Sequence, residues 1–193
     1  EAAPTANSAP AINAPAVTDP AKPSTLSEAT LQMARKDLDA GVWESDGVNN
    51  GPRIREMLGR MGVNVPGNWC SSAVSTWMLE GATLLGQKAP VNGSAGVKAL
   101  MAQFQVVERF YSKAQLQKDP SLLKSGMIVF FDRSTPGKPE TSWLGHTEIC
   151  EIHEPSADAF QDIGGNTGPK GDRVARTQRK ISDPKFLGCA WLD

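Results

Sequence analysis

The apolar pattern of this chain changes period at Gly126, and no other feature limits its folding as strongly. Upstream, apolar residues recur at the three- and four-residue spacing of helices. Thr25-Leu26-Ser27-Glu28 has the form of a capping box, and Leu31, Ala34 and Leu38 share one face up to Gly41, which predicts a helix over residues 26–40. Pro52 suits the first turn of a second helix, with Ile54, Met57, Leu58 and Met61 inward and Gly62 closing it. Pro66-Gly67 interrupts the pattern, Asn68 is a natural N-cap, and Ala73, Val74, Trp77 and Met78 carry a third helix to about Gly81. Ser94 caps a fourth, whose core face is Val97, Leu100, Met101 and Phe104, and a short helical turn follows over residues 113–117.

Past Gly126 the texture is that of strands. Met127-Ile128-Val129-Phe130-Phe131 is a continuous apolar run, followed by strand-like segments at 147–152, 159–163, 174–181 and 186–192. Helices first and strands second predict an α+β fold, with N-terminal helices packed on a C-terminal, largely antiparallel five-stranded sheet. Residues 1–24 hold eight Ala and five Pro without hydrophobic periodicity, the composition of a flexible tail or linker, and residues 25–193 form the domain. The chain opens at Glu1 without an initiator Met, so we expect further sequence upstream, such as a removed export signal.

No run approaches the ~18 consecutive apolar residues of a membrane span, so none is expected. A net charge of -1 gives no footprint for nucleic acid, which normally needs a clustered basic surface. The run Lys170, Arg173, Arg176, Arg179 and Lys180 is local, diluted by Asp162, Asp172 and Asp183, and reads as the exposed side of a strand. Three cysteines cannot all pair with one another. Cys150 and Cys189 read as packing in the sheet, with a mutual disulfide as the alternative in an exported protein.

Cys70 is different, because it falls in the first turn of the third helix, where unpaired amides and the helix dipole favour a thiolate. A nucleophile needs a base, and the chain has two histidines. His146 opens the second strand, whereas His153 lies near its end and, by alternation, on the other face. Residues 154–158 read as a turn, and a hairpin centred on Ser156 sets Asn166 opposite His146, where an amide would aim the imidazole at the thiol. Glu148 shares the face of His146 and ranks second as the orienting group; it would raise the imidazole pKa more strongly. A zinc site from His146, Cys150, His153 and Cys189 is disfavoured because His153 points away and no paired CxxC spacing exists, so neither metal nor cofactor is expected.

These residues sit in blocks that resemble the CHAP family of cysteine, histidine-dependent amidohydrolases and peptidases, relatives of the NlpC/P60 and papain-like proteins. In order they are Asn49-Asn50-Gly51-Pro52-Arg53, Pro66-Gly67-Asn68-Trp69-Cys70, Gly126-Met127-Ile128-Val129-Phe130-Phe131-Asp132, Gly145-His146-Thr147-Glu148-Ile149, Gly165-Asn166-Thr167, Val174-Ala175-Arg176 and Phe186-Leu187-Gly188. The resemblance implies a papain-like fold in which Cys70 is the nucleophile, His146 the base and Asn166 the third residue. It further implies cleavage of an amide bond in bacterial peptidoglycan, between N-acetylmuramic acid and L-alanine or within the stem peptide or cross-bridge.

Two positions depart from the family pattern: Met127, where an acidic residue is common, and Glu148, where a small one is. The implied setting is the cell wall, reached by secretion, from the periplasm or by phage delivery. A lysin, an autolysin or an antibacterial effector would fit, an effector bringing an immunity protein as partner, and a monomer is expected. The alternatives are a papain-like protease or toxin acting on protein substrates and a wall-binding module without catalysis. For the substrate groove the candidates are Asn50, Arg53, Asn68, Trp69 and Trp143, Arg for a stem-peptide carboxylate and Trp for an apolar or sugar face. Glu44 reads as a solvated loop carboxylate, since no second carboxylate accompanies it for glycosidic chemistry.

Overall fold

The first helix begins where its capping box forms: Thr25 Oγ1 accepts from the Glu28 amide at 3.2 Å and Glu28 Oε2 accepts from the Thr25 amide at 3.3 Å. The computed structural model describes residues 22–154 and 156–193; most of the Ala/Pro-rich tail, residues 1–21, lies outside the described residues. In chain order the helices are α1 (Leu26–Asp39), α2 (Pro52–Arg60), α3 (Cys70–Leu85), α4 (Val97–Val106) and α5 (Lys113–Lys118). The strands are β1 (Phe110–Ser112), β2 (Ile128–Asp132), β3 (Gly145–His153), β4 (Ala159–Thr167), β5 (Arg173–Lys180) and β6 (Phe186–Ala190). This is an α+β fold.

Two helix boundaries differ from expectation for identifiable reasons. The third helix does not stop at Gly81 but runs on to Leu85, and Gly86, at φ 68°, supplies the left-handed cap. Gly81 is instead the contact with α1: a Cβ there would lie 2.9 Å from the Thr30 nitrogen. At the other end Trp69, not Asn68, occupies the cap position, and no side chain caps the helix. Similarly α4 starts from Gly96 without a side-chain cap, because the Ser94 hydroxyl accepts from the Gly96 amide at 3.1 Å, ahead of the helix.

The sheet has six strands, not five, in the order β1-β6-β2-β3-β4-β5, and every neighbouring pair is antiparallel. The additional strand, β1, is three residues long and pairs with β6, too short for an alternation to show in sequence. The apolar run of β2 is explained by burial on both faces. Ile128 and Phe130 join Ile149, Ile163 and Ala190 against α3 and its helical neighbours, while Val129 and Phe131 join Phe160, Phe186 and Leu116 on the opposite face. Burying a side chain such as Phe130 completely contributes about 1.5–3 kcal/mol. Among the described residues, no helix is long and apolar enough to cross a membrane.

The central helix, α3, buries eleven of its sixteen residues, and this fixes its N-terminus against the ends of β3 and β4. Ile149 pairs with Ile163 and Cys150 with Asp162, as a hairpin centred on Ser156 requires, but nearer the turn Ile152 pairs with Gln161 and His153 with Phe160, one residue off across a bulge. Extending that register to Asn166 fails. The pairing of β4 with β5 slips between Gly164 and Thr167, and Asn166 adopts a left-handed φ of 56°.

Candidate active site

Cys70, the first residue of α3, and His146, the second of β3, meet at this junction. Both are almost sealed from solvent, at 3% and 1% exposure. His146 Nε2 lies 3.0 Å from Glu148 Oε1, and the imidazole acts electrostatically on the Cys70 thiol. Neither ring nitrogen has an aligned hydrogen-bond partner, so the contact with the carboxylate is close but not linear. Catalytic hydrogen bonds in ligand-free sites are commonly of this kind and tighten around substrate.

Three buried thiols allow an internal comparison. Burial would raise the Cys70 thiol, but the His146 imidazole, followed by the charge of Arg133 and the Thr147 amide, brings it below its ordinary value. Burial pushes Cys189 up to about 12 and holds Cys150 well above the ordinary range. All three are free, so the disulfide alternative for Cys150 and Cys189 is not formed. His146 shifts upward: burial opposes the charged imidazole, and Cys70 and Glu148 outweigh it. The arrangement therefore favours a thiolate–imidazolium pair.

Behind His146 lies a compact ionic cluster. Glu148 is fully buried, and Gly164 makes room for it: a Cβ there would lie 2.5 Å from Glu148 Oε1. Arg179 Nε donates to Glu148 Oε2 at 2.9 Å, its guanidinium 5.0 Å above the Phe131 ring. The Thr177 hydroxyl lies 3.2 Å from both Glu148 oxygens and 3.1 Å from Asp162 Oδ1. One hydroxyl proton cannot serve three acceptors, and Asp162 Oδ2 has no partner. A proton on Asp162 resolves this. Burial and then the Glu148 charge raise Asp162 to about 10, whereas His146 and Arg179 hold Glu148 well below the carboxylate range against its burial. Glu148 is the ionised member of the pair and Asp162 the protonated one.

Asn166 is not behind His146. Its amide donates to Glu44 Oε1 at 3.2 Å, Asn49 Oδ1 at 3.3 Å and the Gly171 carbonyl at 2.7 Å, and no hydrogen bond joins it to His146. Glu44 Oε1 also accepts from Trp69 Nε1 at 3.0 Å, so this carboxylate is a half-buried tie between the 43–51 loop and the start of α3, not a solvated one. The structure thus brings Cys70, His146 and Glu148 together and leaves Asn166 to hold the loop beside them.

In comparisons with known proteins, no family model, no curated sequence and no solved structure matches this chain.

The groove residues separate. Trp69 is fully buried, which removes it as a surface for substrate. Arg53 is committed to three carboxylates: Nε meets Asp37 at 3.0 Å, Nη1 meets Glu56 at 2.8 Å and Nη2 meets Glu80 at 2.7 Å. Asn50 Oδ1 accepts from Arg55 at 2.9 Å beside a cavity of about 260 Å³. Asn68 is exposed two residues before Cys70, and Trp143 is exposed three residues before His146. His153 faces backbone carbonyls with both nitrogens, Leu123 at 3.1 Å and Ala157 at 2.9 Å. Among the described residues, no His, Cys, Asp and Glu side chains gather in a metal-binding group.

Sequence reasoning missed Arg179, Thr177 and Asp162. The basic run of β5 does not all face solvent: Arg173, Arg176 and Lys180 are exposed, but Arg179 turns inward with Thr177. The available signal was the two-residue spacing of Thr177 and Arg179, which places both on one face of the strand.

Proposed function

We propose that this chain is a cysteine amidase or endopeptidase of the CHAP type, with a papain-like arrangement, that cleaves an amide bond of bacterial peptidoglycan. The observation that carries the reading is the thiol of Cys70 at an uncapped helix start, paired with an imidazole that is itself backed by a buried, ionised Glu148. Glu148, rather than Asn166, is the third residue of this site.

The chemistry is acyl transfer. The Cys70 thiolate attacks the amide carbonyl, and the resulting oxyanion faces the Cys70 amide and the free first-turn donors of α3. His146 then gives its proton to the leaving amine as the C–N bond breaks, which leaves a thioester on Cys70. Water, deprotonated by His146, adds to the thioester and releases the carboxylate product and the thiolate. Throughout, Glu148 keeps the imidazole oriented and favours its charged form, while Arg179 and the proton on Asp162 keep Glu148 from carrying an uncompensated charge.

The decisive experiment is Cys70→Ala on purified sacculi. The expected result is loss of released peptide fragments with an unchanged melting temperature, and fragment release at the original rate would sink the proposal. A protein-directed protease would share the chemistry, and parallel incubation with casein and sacculi separates the two substrates.

A further inference from the structure

Arg133 is the charged residue near the site that the chemistry above leaves unused. The register of β2 with β3, Phe131 opposite His146 and Asp132 opposite Gly145, sets Arg133 two residues beyond the position facing that histidine. Its amide donates to the Leu144 carbonyl at 3.3 Å and closes the 133–144 loop at its base. The residue is exposed, and among the described residues no carboxylate lies within ion-pairing distance of it. Its neighbour Asp132 is already taken, by Lys98 at 3.0 Å and by the Ser134 hydroxyl at 2.6 Å. Arg53 and Arg179, by contrast, are already paired with carboxylates.

The charge of Arg133 is felt at Cys70, where it favours the thiolate, so guanidinium and sulfur lie within electrostatic reach of one another. A free guanidinium is a planar fork suited to a carboxylate. At the other end of the same loop Trp143 is 65% exposed and offers a broad apolar face.

We infer that Arg133 is a specificity-determining residue that receives a carboxylate of the substrate beside the scissile amide, with Trp143 flanking it as an apolar wall. The inference rests on Cys70 being the nucleophile of an amide-cleaving site. It replaces Arg53, which is already paired with three carboxylates, as the anchor for an acidic peptide.

Alkylation of Cys70 tests this without any assumption about the natural substrate. Iodoacetate carries the carboxylate that Arg133 would bind, and iodoacetamide is its neutral counterpart. Arg133→Gln is expected to lower the iodoacetate rate relative to the iodoacetamide rate about fivefold, which is about 1 kcal/mol, with Arg133→Lys restoring most of the preference. Equal slowing of both reagents would mean that Arg133 only adjusts the thiolate, and would overturn the carboxylate assignment. Failure of the unmodified protein to react with either reagent would overturn the nucleophile itself, and the anchor with it. With a carboxylate-bearing peptide substrate, Arg133→Gln should raise KM about fivefold at constant kcat and leave the carboxamide analogue unaffected; a fall in kcat for both substrates would again overturn the assignment.

Discussion

Arg53 and His146 each sit in a buried or half-buried ionic cluster against α3, one toward its C-terminal half and one at its N-terminus. Around Arg53 the accounting is complete. Each nitrogen of the guanidinium donates to Asp37, Glu56 or Glu80, and Trp77 Nε1 also donates to Asp37 at 2.7 Å. Around His146 it is not: neither ring nitrogen has an aligned partner, and Asp162 Oδ2 has none. Native proteins satisfy nearly all buried polar groups, so an incomplete cluster is where stability has been traded for chemistry. The Arg53 cluster is a clamp holding three helices, and the His146 cluster is where the proposed chemistry would move a proton.

The largest effect that would separate the two is on turnover. Glu148→Gln preserves volume but removes the charge behind His146, so the imidazolium and with it the thiolate lose their support. We expect kcat/KM to fall about a hundredfold or more, the scale of a displaced general acid–base group, while the fold persists because Asp162 can ionise and take Arg179. A steady-state comparison with the parent protein checks this, and full activity in the variant would remove Glu148 from the site. Arg53→Met should do the reverse. It strands the buried Asp37, so we expect a loss of about 3 kcal/mol in urea unfolding with kcat/KM unchanged. A selective loss of substrate affinity at unchanged stability would return Arg53 to the groove.

The contrast also explains what was legible in the sequence. The capping box of α1, the proline at α2 and the apolar run of β2 announced their elements because each is a local rule with a local cause. Cys70 and His146 were legible for the same reason, one by its place at a helix start and the other by scarcity. The third residue was not, because it depended on continuing a ladder through Gly164-Gly165, and the slip there turned Asn166 away toward Glu44 and Gly171. Glu148 lay on the correct face by alternation, yet only the missing side chain at Gly164 makes room for it. Arg53 misled for the opposite reason: its three acidic partners come from three separate helices, and no spacing in the chain reveals that they converge.

The smallest effect in acid, and the sharpest probe of the incomplete cluster, is expected of Asp162→Asn. An amide is close in shape to a protonated carboxyl and likewise donates a hydrogen bond, so below the ordinary carboxyl pKa of 3.8, where folded and unfolded parent both carry the proton, the substitution should change stability by less than about 1 kcal/mol. The two proteins should diverge with pH. The folded-state pKa of Asp162 is raised to about 10 from an ordinary 3.8. Its contribution is therefore fully present below the unfolded value and is lost as pH rises toward the folded one. Glu148 has the opposite sign: its pKa is depressed, so its contribution is present above the ordinary carboxylate range and is lost on acidification. Only the Asp162 contribution disappears in the variant. Melting temperatures measured from about pH 5 to about pH 9 should thus show Asp162→Asn gaining steadily on the parent protein. A constant difference across that range would mean that Asp162 is ionised throughout, and that the cluster behind His146 holds two buried anions in place of one anion and one shared proton.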